Sequence, residues 1–286
     1  MKKVSTLFLG VCLFFSIVHL EAQALWDARS YLEDAYSRMD TEFAHQEATP
    51  LDTYYLGRAV AANILAAYRP YTGSPALTRY LNLICQTIVI NSAFPDLFNG
   101  YHVIILDSPE FNAFATPSGH IFITRGLVGL TTSEDMLAAL IAHELAHIML
   151  KHGLSIIDDV RLLVEMPAMA DRAVQFADNP KAAARYTYFR NSVDAMFGAL
   201  VRNGFSRDQE SDADEGAVVL LAASGYSPAG FLDLLRVLQQ VQASQRGGFN
   251  ATHPSPTQRL VRVQSYVRQY QVRDTQSYRE SRFMNK

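Results

Sequence analysis

The chain has 286 residues, 49% of them apolar, with 25 basic and 28 acidic side chains and a formal net charge of −3. That much apolar sequence can bury one sizeable core or two close-packed subdomains. The near-neutral balance lacks the positive footprint of a nucleic-acid-binding protein, so no nucleic-acid partner is expected. The chain opens on Lys2 and Lys3, continues through the apolar run "VSTLFLGVCLFFSIVHL" and reaches small residues at Ala22 and Ala24. This order of charge, apolar core and A-x-A-like site predicts a signal peptide over residues 1–24 and a mature chain over 25–286. The run falls short of the roughly 20 apolar residues of a membrane span. An uncleaved N-terminal anchor is the rival reading, and Cys12 raises lipidation as another, against which Val11 stands where a small residue is usual. Beyond residue 24 the one cysteine is Cys85, so no intramolecular disulfide is expected there. An exported chain without disulfides suits a bacterial envelope better than a small stapled module.

From 25 to 100 the pattern is helical, punctuated by prolines and Gly73; "LGRAVAANILAAYRPY" puts Val60, Ile64, Leu65 and Tyr68 on one stripe. Between 101 and 130 the texture changes. "YHVIILD" and "GHIFITRGLV" are short and rich in β-branched residues, which predicts a small sheet joined through "SPEFNAFATPSG". Helical periodicity returns over 131–225. "TTSEDMLAALIAHELAHIMLKHG" predicts a helix capped at Thr132, with Asp135 in capping-box position and Gly153 closing the end. The stretch "DDVRLLVEMPAMADRAVQFADNPKAAARY" that follows is expected to form a helical lid. Over 226–286 a glycine- and proline-bearing linker, 243–256, precedes one packing helix and a frayed end. The expected fold class is therefore α+β, mostly helical, with one small central sheet.

The chemistry concentrates in "LIAHELAHIMLKHG". At 100° per residue His143 and His147 share one helix face, and Glu144 leans toward the same side. Two neutral imidazoles can hold Zn²⁺, which lowers the pKa of a water to about 7, and Glu144 can take that proton and pass it to a leaving amine. A buried helix with chance histidines is the alternative, and His152, half a turn away on the wheel, reads as a surface histidine. A catalytic site needs a third protein ligand, and "GFSRDQESDADEGAVVLLAASGY" offers one. On a helix from Gln209 to Ser224, Glu210 and Asp214 lie one turn apart beside the apolar stripe Ala213, Ala217, Leu220 and Leu221. A carboxylate on a core face is costly unless it is paired. Zinc would satisfy Glu210, and the free N–H of a ligand histidine would satisfy Asp214. A solvated acidic face is the bland rival. A calcium loop fails, because the glycine and the terminal glutamate it needs are missing.

With these residues in place the chain resembles the HtpX and CAAX-prenyl-protease family of gluzincin zinc metallopeptidases. Four further stretches carry the likeness: "YLGRAVAANI", "FNAFATPSGHIFITRGLV", "RDQESDADEGA" and "THPSPTQRL", together spanning roughly 55–265. The resemblance implies a zincin-like metallopeptidase domain with one Zn²⁺ per chain, held by His143, His147 and Glu210. Glu144 would be the general base, Asp214 the support of a ligand histidine, and Asn112, Ala113, Phe114 and Ala115 a strand that pairs with substrate backbone. His253 matches a histidine that, in soluble periplasmic relatives, approaches the metal and holds the enzyme latent; swung away, it could stabilise an oxyanion. Arg259 would hold that loop or meet substrate. Pro117-Ser118-Gly119 departs mildly from the family's proline-glycine-glycine turn. The function implied is an exported, periplasmic zinc endopeptidase acting on misfolded or stalled proteins, with outer-membrane assembly machinery as a partner. The alternative is a latent zinc-bound chaperone or assembly factor.

Overall fold

The computed structural model describes residues 49–157, 180–242, 253–270 and 276–284. The expected signal peptide with Cys12, most of the expected lid and most of the 243–256 linker lie outside the described residues.

Two capped helices come first. Helix α1, Pro50–Ala67, starts at a capping box in which Thr49 and Asp52 satisfy each other's backbone N–H, with proline in the first turn. Helix α2, Pro75–Ile90, is capped by Ser74 and buries Leu81, Ile84, Cys85, Ile88 and Val89, spaced three and four apart as a one-sided helix requires.

Three short strands follow: β1 (His102–Leu106), β2 (Ala113–Ala115) and β3 (His120–Thr124). Their order is β1-β3-β2. β1 runs parallel to β3, pairing His102 with His120, and β2 runs antiparallel, pairing Phe114 with Phe122. Period-two alternation sends the two faces into different cores. Val103, Ile105, Ala113, Ala115, Ile121 and Ile123 face one cluster with α2. Leu106, Phe114 and Phe122 face the other, with Leu56, Val60 and Ile64 of α1. The outer side of β1 is closed by a side chain: Val103 donates its N–H to Asn82 Oδ1 at 2.9 Å, and Asn82 Nδ2 donates to the Val103 carbonyl at 2.8 Å. A bridge between Pro70 and Leu106 continues the closure.

The segment "RGLV", read as the end of a strand, is helical. Thr124 ends β3 and its hydroxyl accepts the Leu127 N–H, which starts α3, Arg125–Leu130. Helix α4, Glu134–Met149, is buried along almost its whole length, as an all-round apolar sequence demands. Its cap is Ser133 rather than Thr132, and Asp135 does not close a capping box. Instead Asp135 accepts from the Ser227 N–H at 2.8 Å and from Arg279. After a 3-10 turn at Leu154–Ile156 come α5, Pro180–Gly198, a π-helical turn, Ala199–Asn203, and α6, Arg207–Ala223. The chain then forms α7, Ala229–Gln242, α8, Pro256–Val267, and α9, Gln276–Met284. The end expected to fray is thus a helix as far as Met284. Its Arg279 and Arg282 reach Asp135 and the buried Glu134, pinning α9 to the start of α4.

Candidate metal centre

Two helices carry the site. His143, Glu144 and His147 project from the buried middle of α4, all at most 2% exposed. Helix α6 starts at Ser206 with a capping box completed by Gln209, and this start sets the rotation of the helix. Its inward side then presents Glu210 and Asp214 beside Ala213 and Ala217, as the spacing predicts.

The geometry is that of ligands gathered about a point. His143 Nε2 and His147 Nε2 lie 3.2 Å apart. Glu210 Oε2 is 3.7 Å from the first, and Glu210 Oε1 is 3.4 Å from the second. Tetrahedral donors at about 2.0–2.1 Å from one zinc ion stand about 3.3 Å apart, so the residues fit the metal. The far side of His143 supports this: Nδ1 lies 3.2 Å from Asp214 Oδ1, so it carries the proton and Nε2 presents a lone pair. Among the described residues, Oε1 of Glu144 and Oε1 of Glu210 are buried without a hydrogen-bond partner, as carboxyl oxygens that a bound cation and its water would satisfy.

Electrostatics sets protonation states that suit ligation. Burial, followed by the Arg259 charge, draws His143 down to about 3, so its imidazole is neutral. Burial alone would raise Glu210, but His253 and His147 outweigh it and hold the carboxylate well below its ordinary range. Glu144 goes the other way: burial, then the Glu210 charge, pushes it up to about 8 against a smaller pull from Arg259. A carboxyl poised near neutrality is matched to taking and giving a proton.

His253 enters the same cluster. Its Nδ1 lies 2.7 Å from Glu210 Oε2, and one donor atom from each of His143, His147, Glu210 and His253 falls within 4.8 Å of the others. Arg259 is turned inward: Nη2 and Nε donate to the two oxygens of Asp214 at 2.6 and 3.1 Å, and Nη2 lies 3.3 Å from His143 Nδ1. The guanidinium also sits over Phe231, 5.6 Å from the ring centre. Asn112 precedes β2, its side chain accepting from the Ala113 N–H at 3.0 Å and its carbonyl pairing with Thr124. Ala113, Phe114 and Ala115 form β2 itself, which packs against α4, with the π-helical turn lying against it.

One residue of this neighbourhood was misread. His152 is buried, its Nδ1 2.8 Å from Nδ1 of His147. A helix running to Gly153 would turn His152 outward, whereas α4 ends at Met149. Lys151 turns to φ 54°, Lys151 N–H bonds the Ile148 carbonyl, and His152 N–H bonds the His147 carbonyl, which swings His152 back beneath the site. Phe205 was also missed. The π-helical turn ends at Gly204 with φ 74°, and Phe205 then stacks on His147, ring centres 4.4 Å apart.

A zincin-like peptidase domain is defined by this combination: an H-E-x-x-H helix against a small sheet, with a carboxylate supplied by a second core helix, α6. Residues 75–267 match peptidase family M48, and the chain belongs to that family. It is 26% identical over 212 residues to the mitochondrial metalloendopeptidase OMA1 of Schizosaccharomyces pombe, covering 73% of this chain and 57% of that protein. To the beta-barrel assembly-enhancing protease of Escherichia coli it is 24% identical over 266 residues, covering 90% and 51%. To the metalloprotease LoiP of Escherichia coli it is 25% identical over 194 residues, covering 67% and 72%. The chain thus spans little more than half the length of the first two relatives.

Proposed function

We propose that this chain is a zinc metalloendopeptidase of the bacterial envelope, cleaving peptide bonds of misfolded or stalled proteins. Within M48 we place it near the HtpX and CAAX-prenyl-protease branch, among the soluble periplasmic members. The observation that carries the reading is the buried convergence of His143, His147 and Glu210 beside the unpartnered Oε1 of Glu144. Zinc, when bound, supplies the Lewis acid that makes water nucleophilic near neutral pH and polarises a carbonyl. His143, His147 and Glu210 would hold it. Asp214, itself clamped by Arg259, keeps the His143 Nδ1 proton in place and so keeps Nε2 free to ligate. Glu144 accepts the proton of the attacking water at its free oxygen and returns it to the leaving amine nitrogen. The strand of Ala113, Phe114 and Ala115, with Asn112 before it, is paired on one side only among the described residues, and its other margin would bind substrate main chain without demanding a sequence. The turn at Ala199–Asn203 would have to yield for that strand to be reached.

An envelope location and an assembly-related client are supported by the sequence order of residues 1–24 and by the name of the relative that enhances beta-barrel assembly. No helix among the described residues is long and apolar enough to cross a membrane. A second reading, a latent zinc-bound assembly factor, is favoured by one observation: His253 is bonded to Glu210 inside the donor cluster. Hydrolysis of an unfolded protein by the zinc-loaded chain, run beside Glu144→Gln, separates the readings. Wild-type cleavage that the variant lacks is the expected result. Bound zinc with no cleavage by either, and none gained by His253→Ala, would defeat the peptidase reading.

A further inference from the structure

The two histidines of the centre are supported in different ways. His143 has a carboxylate behind it, whereas His147 has another imidazole, His152, 2.8 Å from its Nδ1. A single proton occupies that gap. If His147 binds a metal through Nε2, its Nδ1 carries the proton and His152 Nδ1 is the bare acceptor. Holding it there takes a helix stop with a non-glycine residue in the left-handed region, Lys151 at φ 54°, where β-carbon sterics are unfavourable. The turn is tied down on its other side too. Ser155 Oγ donates to the His152 carbonyl at 2.7 Å, and Gln209 Nε2 donates to Ser155 Oγ at 2.6 Å. Gln209 is also the residue that closes the capping box of α6, immediately before Glu210. The turn bearing His152 is thereby locked to the helix that brings the carboxylate. Phe205 stacks on the face of the His147 ring and fixes its plane, leaving rotation within that plane to be set at Nδ1.

We infer that His152 is the positioning residue of His147: by accepting the Nδ1 proton it aims Nε2 at the metal and raises the affinity of the centre. The inference rests on the reading of His143, His147 and Glu210 as metal residues. An acceptor behind a ligating histidine fixes its tautomer and orientation, and losing such a partner typically costs about 10- to 100-fold in metal affinity. The side-chain oxygen of asparagine sits one bond from Cγ, as Nδ1 of histidine does, so His152→Asn keeps an acceptor in place. His152→Leu fills similar space without one.

The test is zinc affinity of the full chain, by competition with a chromogenic chelator, for wild type, His152→Leu and His152→Asn. Urea unfolding of the zinc-free proteins and visible spectra of the cobalt-loaded ones run alongside. We expect His152→Leu to release zinc about 10- to 100-fold more readily, with an altered cobalt spectrum. His152→Asn should stay within about threefold of wild type, and the two variants should share a zinc-free unfolding midpoint. Wild-type affinity in His152→Leu overturns the inference, and so does His152→Asn as weak as His152→Leu. Where leucine also unsettles the turn, the asparagine comparison still decides. A wild-type chain that binds no zinc would instead sink the metal reading, and the inference with it.

Discussion

Replacing Arg259 by methionine removes the guanidinium and keeps an apolar stem over Phe231. Arg259 and Asp214 are 1% and 0% exposed, and three hydrogen bonds of the Asp214 carboxylate come from this arginine, at 2.6, 3.1 and 3.2 Å. Against its burial, the Arg259 charge and, after it, the hydrogen bond from His143 hold Asp214 below the ordinary carboxylate range. Arg259→Met therefore strands a carboxylate in the core, a change that costs about 3–5 kcal/mol when one partner of a buried pair is removed. In a chain of this size that is about 5–8 °C in Tm. The double variant Arg259→Met, Asp214→Leu removes both charges and should return to within about 1 kcal/mol of wild type, because an apolar pair of similar volume replaces a buried ion pair at little net cost. Urea unfolding at pH 7 with a chelator present, followed by circular dichroism, measures all three proteins without a metal contribution. Wild-type stability in Arg259→Met, with a raised KM for an unfolded substrate, would mean that the guanidinium faces substrate and would refute the reasoning. A double variant no more stable than the single one would refute it too.

Gly57→Ala should lower the urea midpoint by an amount equivalent to roughly 1–3 kcal/mol, because an added Cβ would lie 2.3 Å from the Ser118 backbone nitrogen; an unchanged midpoint would show that α1 can slide off this turn. Cys85 is fully buried, and burial pushes its thiol from 9.0 up to about 12. In the native protein at pH 8 its peptide should stay unlabelled by a disulfide reagent and become labelled in denaturant. The folded pKa is raised, so the contribution of Cys85 to stability is complete below pH 9 and is lost as pH climbs toward 12. Across that window the unfolded chain has shed a proton that the folded one keeps, a slope of about −1.4 kcal/mol per pH unit. Cys85→Ala should flatten the alkaline decline by that slope; an identical decline would show that other groups set it.

The features legible in the sequence were those carried by local periodicity. An apolar helix with two histidines four apart and a small-residue helix with acids on its inward side are one-dimensional patterns, and each folds as its spacing requires. The short β-branched runs gave the sheet for the same reason. What escaped depended on where a helix stops. Lys151 is not a residue that announces a left-handed turn, so His152 was projected along a helix that had already ended. Thr124 could be read as the next strand residue, and only its hydroxyl on the Leu127 N–H marks it as a cap. The last helix was mistaken for a frayed end because Arg279 and Arg282 look solvated until the distant Asp135 and Glu134 are brought beneath them. Arg259 follows the histidine-proline segment in the sequence, but its direction depends on Asp214, 45 positions earlier.

A three-stranded ribbon has two margins at which stray backbone could dock. Here the margin along β1 is stoppered: the amide of Asn82 occupies both hydrogen-bonding groups of Val103, and the Tyr71 N–H takes the carbonyl of Ile105. One side chain thus imitates a neighbouring strand at the place where a second molecule could otherwise graft itself on. Growth of the ribbon is denied on that flank, and among the described residues the sheet's other margin is that of β2, next to the helix of His143 and His147 and under the turn at Ala199–Asn203. Asn82, far in sequence from the candidate metal residues and chemically inert, thus shares with the backbone of Tyr71 the work of ending the sheet at β1.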